Sequence, residues 1–182
     1  MPLETTGLTF GELSSSGKGA KSIPINGPNS WAPGELKVLW QPRSFDGSDQ
    51  NRVSISFQLT DELEADTAAL EDWVIAEMTA RSKKYLGQDM TQAQVRERFV
   101  SLLKVSDKGY RSLRAKMNFT GRNAVQCWDS DKQKRDLPED WLSGSVKPIF
   151  RIKGIWLMSR DWGLICEMEH AQISEAVEAC PF

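Results

Sequence analysis

The sequence predicts a mainly β protein: a small closed barrel of about five to seven strands with a helical segment inserted over residues 61–104. Three observations carry that reading. Val53, Ile55, Phe57 and Leu59 alternate with Ser54, Ser56 and Gln58, and Val146, Pro148, Phe150 and Ile152 alternate with Lys147, Ile149, Arg151 and Lys153. Apolar residues at every second position are what a strand with one buried face requires. Between these runs the apolar spacing lengthens to three and four, the helical period. Gly154 then breaks the second alternation, as a bulge or sharp bend at a barrel corner does.

The elements follow in order. LTFGELSSSGKGAKSIPIN, residues 8–26, gives two short strands around a Ser/Gly tip and makes a first hairpin. ELKVLWQPR gives a strand with Leu36, Val38 and Trp40 on one face, ended or placed at an edge by Pro42. After the FDGSDQN turn comes the strand over residues 53–59. Asp66 can cap a helix that carries Leu70, Trp73, Val74 and Met78 and stops at Gly87. Thr91 and Gln94 form a capping box for a second helix with Val95, Phe99, Leu102 and Leu103 on its apolar stripe. Strands resume with LRAKMNF, and AVQCW, residues 124–128, returns across a turn at Gly121. The last hairpin sets Ile155–Met158 against Trp162–Cys166 around Ser159-Arg160-Asp161, which brings Trp156 and Trp162 together near the turn as a cross-strand pair.

At 182 residues with 40% hydrophobic content the chain suits one domain, residues 1–173, followed by a short acidic tail over 174–182. The absence of a long uncharged apolar run and of a basic-then-apolar leader points to an intracellular protein without a membrane span. Cys127, Cys166 and Cys180 have no paired spacing, so free thiols are expected rather than a disulfide framework or a zinc site. Net charge is −2, but residues 98–160 carry 14 Lys and Arg against 6 Asp and Glu, whereas residues 161–182 carry none against 5. The positive charge is therefore local.

Catalytic chemistry finds no support. The lone His170 has no orienting partner in sequence, no nucleophile, phosphate-loop or metal motif is present, and no cofactor is implied. What remains is aromatic residues interleaved with basic ones on strands: Trp40 with Lys37 and Arg43, Phe119 with Arg114 and Lys116, and Phe150 and Trp156 with Arg151 and Lys153. A ring beside a cation can stack an unpaired base and hold its phosphate. Seven tryptophans exceed what a core of this size needs, so one or two are expected at the surface.

The order of these segments resembles the single-stranded DNA-binding proteins of large DNA viruses of eukaryotes. The resemblance rests on FGELSSSGKGAKSIPIN, KVLWQP, RVSISFQL, RSLRAKMNF and above all VKPIFRIKGIWLMSRDWGLICEMEHAQI, with Trp156, the polar turn at Ser159 to Asp161, Trp162-Gly163 and Gln172. It implies an OB-fold barrel that coats single strands without reading sequence during replication, recombination or repair, in the nucleus or a viral replication compartment. RNA binding stays open, as does the alternative of a structural or interaction subunit that uses the barrel as a scaffold.

Within that reading, Arg114, Lys116, Arg151 and Lys153 form the phosphate-tracking floor of the groove. Lys18, Lys21, Arg43, Arg52 and Arg111 stand on loop tips or strand ends that close over the strand, and Trp40 supplies the stacking ring. The helical insertion packs on the barrel or mediates self-association. The ending, with Glu175, Glu178 and Pro181-Phe182, resembles the tails of bacterial single-stranded DNA-binding proteins. That resemblance makes Phe182 a contact for replication partners; a short packed helix with Val177 facing inward is the alternative.

Overall fold

A computed structural model describes residues 3–15, 20–44 and 51–175. Its principal strands are β1 (Lys21–Asn26), β2 (Val38–Arg43), β3 (Arg52–Gln58), β4 (Arg111–Asn118), β5 (Gly144–Leu157) and β6 (Trp162–Glu175). Between β3 and β4 lie α1 (Asp61–Ala80), α2 (Ser82–Leu86) and α3 (Gln92–Glu97). The Ser/Gly tip with Lys18, the turn at 45–50 and residues 176–182 with Phe182 lie outside the described residues.

The strands run β5–β6–β4–β3–β2, and the ring closes where Leu36, just before β2, exchanges both backbone hydrogen bonds with Val146 of β5 at 2.7 and 2.9 Å. This is a five-stranded OB-like barrel with helices between its second and third ring strands in chain order, the fold class expected. Phe57 and Phe150 meet inside edge to face at 5.5 Å, with Trp31 against Phe150 at the same distance. The predicted first hairpin forms, Thr9–Phe10 pairing with Asn26 and Ile25, and β1 continues along β5. No helix among the described residues is long and apolar enough to cross a membrane.

The β5–β6 ribbon has the predicted turn, Leu157 facing Trp162 and the Met158 N–H donating to the Asp161 carbonyl at 2.8 Å. Two bulges interrupt it. Lys153 is the extra residue in β5, beside Gly154, and Glu169 is the extra residue in β6. Gly154 is needed at the first because a Cβ there would lie 2.3 Å from the Ile23 carbonyl oxygen of β1.

Several expectations need correction. The first helix starts at Asp61 rather than after Asp66: the Thr60 hydroxyl accepts from the Leu63 N–H, and Asp61, Glu62 and Glu64 suit the positive end of the helix dipole. The capping box at Thr91 forms, but its helix ends at Glu97. Phe99–Val100 pairs with Trp162–Gly163, and Leu103–Val105 pairs with β4; these β-favouring residues find open strand edges, which outweighs their helical spacing. Residues 124–128 touch β4 only at its end, where Ala124 bridges Asn118; the rest of β4 is already paired with β3 on one side and with β6 and the 103–105 strand on the other. Gln126–Trp128 instead runs parallel to His170–Gln172 of β6.

Trp156 and Trp162 also face opposite sides. Trp162 is fully buried, its ring 4.7 Å from Phe99 and its Nε1 donating to the Val95 carbonyl, whereas Trp156 pairs with Gly163 on the outer face. A Cβ on residue 163 would sit 2.8 Å from the Trp156 ring, so glycine is what lets the indole lie against the backbone. Phe150 is core, and Phe119 is half-buried against it.

The insertion packs on the barrel through Leu63, Leu70, Val74, Ile75 and Met78, and Phe10 meets Trp73 edge to face. Glu71, largely buried, accepts from Ser101 Oγ and the Leu102 N–H at 2.8 and 2.7 Å. Burial raises its pKa although these hydrogen bonds pull the other way. The carboxylate thus ties α1 to the segment that leads into β4.

Candidate nucleic-acid interface

The sheet register assembles the site. Partnered residues point to the same face of a sheet, and one row of partners crosses five strands: Arg43, Ser54, Lys116, Glu167, Arg151. A second row sets Trp40, Ser56 and Arg114 side by side. At a strand spacing of about 4.8 Å the longer row spans roughly 19 Å. The serines of β3, half-buried or buried, keep the middle low, so the face is a trough.

Trp40 is on this face because the β2–β3 register slips twice, between Val38 and Trp40 and again before Arg43. Simple alternation places it with buried Leu36 and Val38; the bulge turns it outward to 40% exposure. Three of the seven tryptophans, Trp31, Trp141 and Trp162, are buried. Trp40 at one end of the trough and Trp156 at the other are accessible.

Two adjoining clefts share Arg114. One, of about 450 Å³, lies between Trp40, Arg43, Ser54 and Arg114. The other, of about 440 Å³, has an apolar floor including Leu102 and Ile165, Trp156 and Met158 at one side, and Arg52, Lys104, Arg114 and Lys116 around it. Burial and the nearby charges of Arg52 and Arg114 hold the Lys116 pKa below the usual lysine range; burial and Arg114 do the same to Lys104. Lys116 Nζ donates to Ser54 Oγ at 2.9 Å. Neither Arg114 nor Lys116 has a carboxylate partner among the described residues, and Arg114 Nε is buried without an acceptor there. Crowded cations of this kind favour an anion between them.

Arg151 and Lys153 are in a different state. Glu169 accepts from Arg151 Nε at 2.7 Å and from Lys153 Nζ at 2.5 Å, and Glu167 pairs with Arg52 at 3.0 Å and Lys153 at 3.7 Å. Partial burial pushes the Glu169 pKa up, but the two cations outweigh it and hold the carboxyl below its usual range. The expected four-residue floor therefore divides into an open pair and a paired one. Among the other expected contacts, Arg43 and Arg52 line the clefts, Lys21 lines neither, and Arg111 is ion-paired to Glu64 of α1. Lys18 and Phe182 fall outside the described residues.

Sequence reasoning missed Lys104, the serine trough and the two acids. CEMEH, residues 166–170, did hold a signal, since Glu167 and Glu169 are interleaved with buried Cys166 and Met168 and so project opposite to them. Among the described residues Cys127 and Cys166 are free, and no group of three or more His, Cys, Asp or Glu is placed to hold a metal.

No family model matches the sequence, and no curated protein does. Solved structures do. The chain is similar to the single-stranded DNA-binding protein from bacteriophage Enc34 in complex with ssDNA, at 8% identity over 85% of this chain and 90% of that one, with a TM-score of 0.50. It is also similar to gp2.5, a single-stranded DNA-binding protein encoded by bacteriophage T7, at 10% identity over 80% and 86% of the two chains, with a TM-score of 0.49. The neighbours are phage proteins rather than proteins of eukaryotic viruses, and at such identities what is shared with the Enc34 protein is the fold.

Proposed function

We propose that this chain binds single-stranded DNA without reading its sequence, coating strands during replication, recombination or repair, and that it is not an enzyme. The observation that carries this reading is the pair of unpaired cations, Arg114 and Lys116, lying between Trp40 and Trp156 on one open sheet face. Cations contact phosphates whatever the base, and a ring stacks any base whose face is free, which only an unpaired strand offers. The fold likeness to a protein solved with ssDNA supports the same reading. The sequence resemblance points to large DNA viruses of eukaryotes and the fold likeness to a bacteriophage protein; single-stranded DNA binding is common to both. An intracellular site, self-association and replication partners reached through residues 174–182 belong to the proposal as further parts.

Titration with oligo-dT, followed by tryptophan fluorescence at several salt concentrations, tests it. Salt-sensitive quenching that duplex DNA does not reproduce is the expected result. No response at low salt would instead favour the scaffold role, and an RNA oligomer in the same assay sets the DNA preference.

A further inference from the structure

The outer face of the β5–β6 ribbon does not end at the Glu167 and Glu169 ion pairs. Ile149 partners His170 and Lys147 partners Gln172, each on the same outer side as Arg151 and Glu167. Trp128, from the strand beside β6, partners Gln172 in turn. Together they line a cleft of about 520 Å³ whose charged members are Lys132 and Lys147, with no carboxylate in its lining. Ile149 is 39% exposed at its edge.

This cleft is built. Trp128 Nε1 donates to His170 Nδ1 at 3.3 Å, which fixes the indole beside the imidazole. Gln172 Nε2 donates to the Asp129 and Ser130 carbonyls at 3.0 and 3.3 Å, pinning the turn that carries Lys132 over β6. The composition repeats that of the trough, an accessible indole and two cations around an apolar surface. It begins about 7 Å from Arg151, two residues along β5.

We infer that this cleft is a second subsite for the same single strand, taking a base against Trp128 and backbone phosphates on Lys132 and Lys147. The inference rests on the strand-binding reading above. A strand leaving the Trp156 end of the trough crosses the ion-paired seam, where its phosphates compete with Glu169 for Arg151 and Lys153, and then reaches Trp128. The site is thus longer than the trough and has a seam in its middle.

The test is titration of the full chain with dT oligomers of about 4 and about 16 nucleotides, the range bound by single OB folds. Trp128→Ala with Lys147→Ala should weaken the long oligomer on the order of tenfold or more and leave the short one bound as before. Lys147→Glu alone, at an exposed strand position, should do the same more weakly and guards against misfolding of the double variant. Equal affinities for the long oligomer in wild type and both variants would overturn the subsite, as would equal losses for both oligomers. If wild type binds the short oligomer and Arg114→Ala does not, the primary reading stands whatever happens to the subsite. A wild type that binds neither oligomer overturns both.

Discussion

Arg114 and Lys116 on β4 and Arg151 and Lys153 on β5 occupy the same sheet face and read alike in sequence, each pair alternating with buried apolar residues. Their electrostatic states differ. The β4 pair lies beside serines and other cations, and although Glu167 is the register partner of Lys116 its carboxylate goes to Arg52 and Lys153, so among the described residues no acid ion-pairs with Arg114 or Lys116; the β5 pair faces β6, whose Glu167 and Glu169 neutralise it at 2.5 to 3.7 Å. Local excess of basic residues along a chain is therefore a poor measure of the charge a ligand meets. What counts is which strand lies alongside, and the acids that close the β5 pair come from the segment that holds no basic residue.

The largest effect should come from the open pair. Arg114→Ala with Lys116→Ala is expected to weaken oligo-dT binding on the order of a hundredfold, if each charge-assisted contact is worth about 1.5 kcal/mol. The salt slope should become shallower by about 1.4, from roughly 0.7 per lost phosphate contact. Arg151→Ala with Lys153→Ala should cost clearly less; equal losses in parallel titrations would break the comparison. Trp40→Ala comes next, with a loss of about 1–3 kcal/mol in binding and a nearly unchanged melting temperature, because the ring is 40% exposed. Trp162→Ala, which removes a fully buried ring, should instead lower stability by about 3–5 kcal/mol. A comparable fall in melting temperature for Trp40→Ala would return that ring to the core.

A smaller and opposite effect is expected from Glu169→Gln. Releasing Arg151 and Lys153 should tighten strand binding a few-fold and steepen the salt slope by up to roughly 0.7 per cation, while stability moves by no more than about 1 kcal/mol, the range of such partly exposed pairs. Unchanged affinity would place the strand away from β5.

The smallest effect is with pH. Lys116 has its folded pKa lowered by burial and by Arg52 and Arg114, so the fold disfavours its ammonium form. That penalty is fully present below the lowered pKa and is relieved as pH rises through it towards the ordinary lysine value. The unbound protein should gain slightly in stability over this alkaline window, whereas strand binding, which uses the ammonium, weakens. Calorimetry in buffers of different ionisation heat should find proton uptake on binding there; proton release would contradict the assignment.

The barrel was legible where the period is two and unbroken. Val53 to Phe57 and Val146 to Ile152 give their buried faces directly, and Gly154 marks its bulge because nothing larger fits against Ile23. Legibility failed where a long-range partner decides. Phe99 to Val105 matches a helical stripe by spacing and becomes strand only because β6 and β4 offer edges. Trp40 changes face through a register slip that its own sequence does not encode, and the neutralisation of Arg151 and Lys153 depends on a strand pairing in which β6 supplies the acids. Alternation indicates which side of a strand a residue takes; it does not say what stands opposite.

One edge of β5 carries a further consequence. Residues 21–36 run back along it in succession, Lys21 to Pro24 beside Leu157 to Gly154, Ser30 and Trp31 beside Arg151 and Phe150, and Leu36 beside Val146. Every one of these pairings joins segments more than a hundred positions apart in the chain. As the polypeptide leaves the ribosome, its early segment, paired only within its own first hairpin, has to wait for its outer edge to be covered until β5 has been made. The β5–β6 hairpin, whose contacts are local, can form at once, and the arm that seals the barrel arrives last.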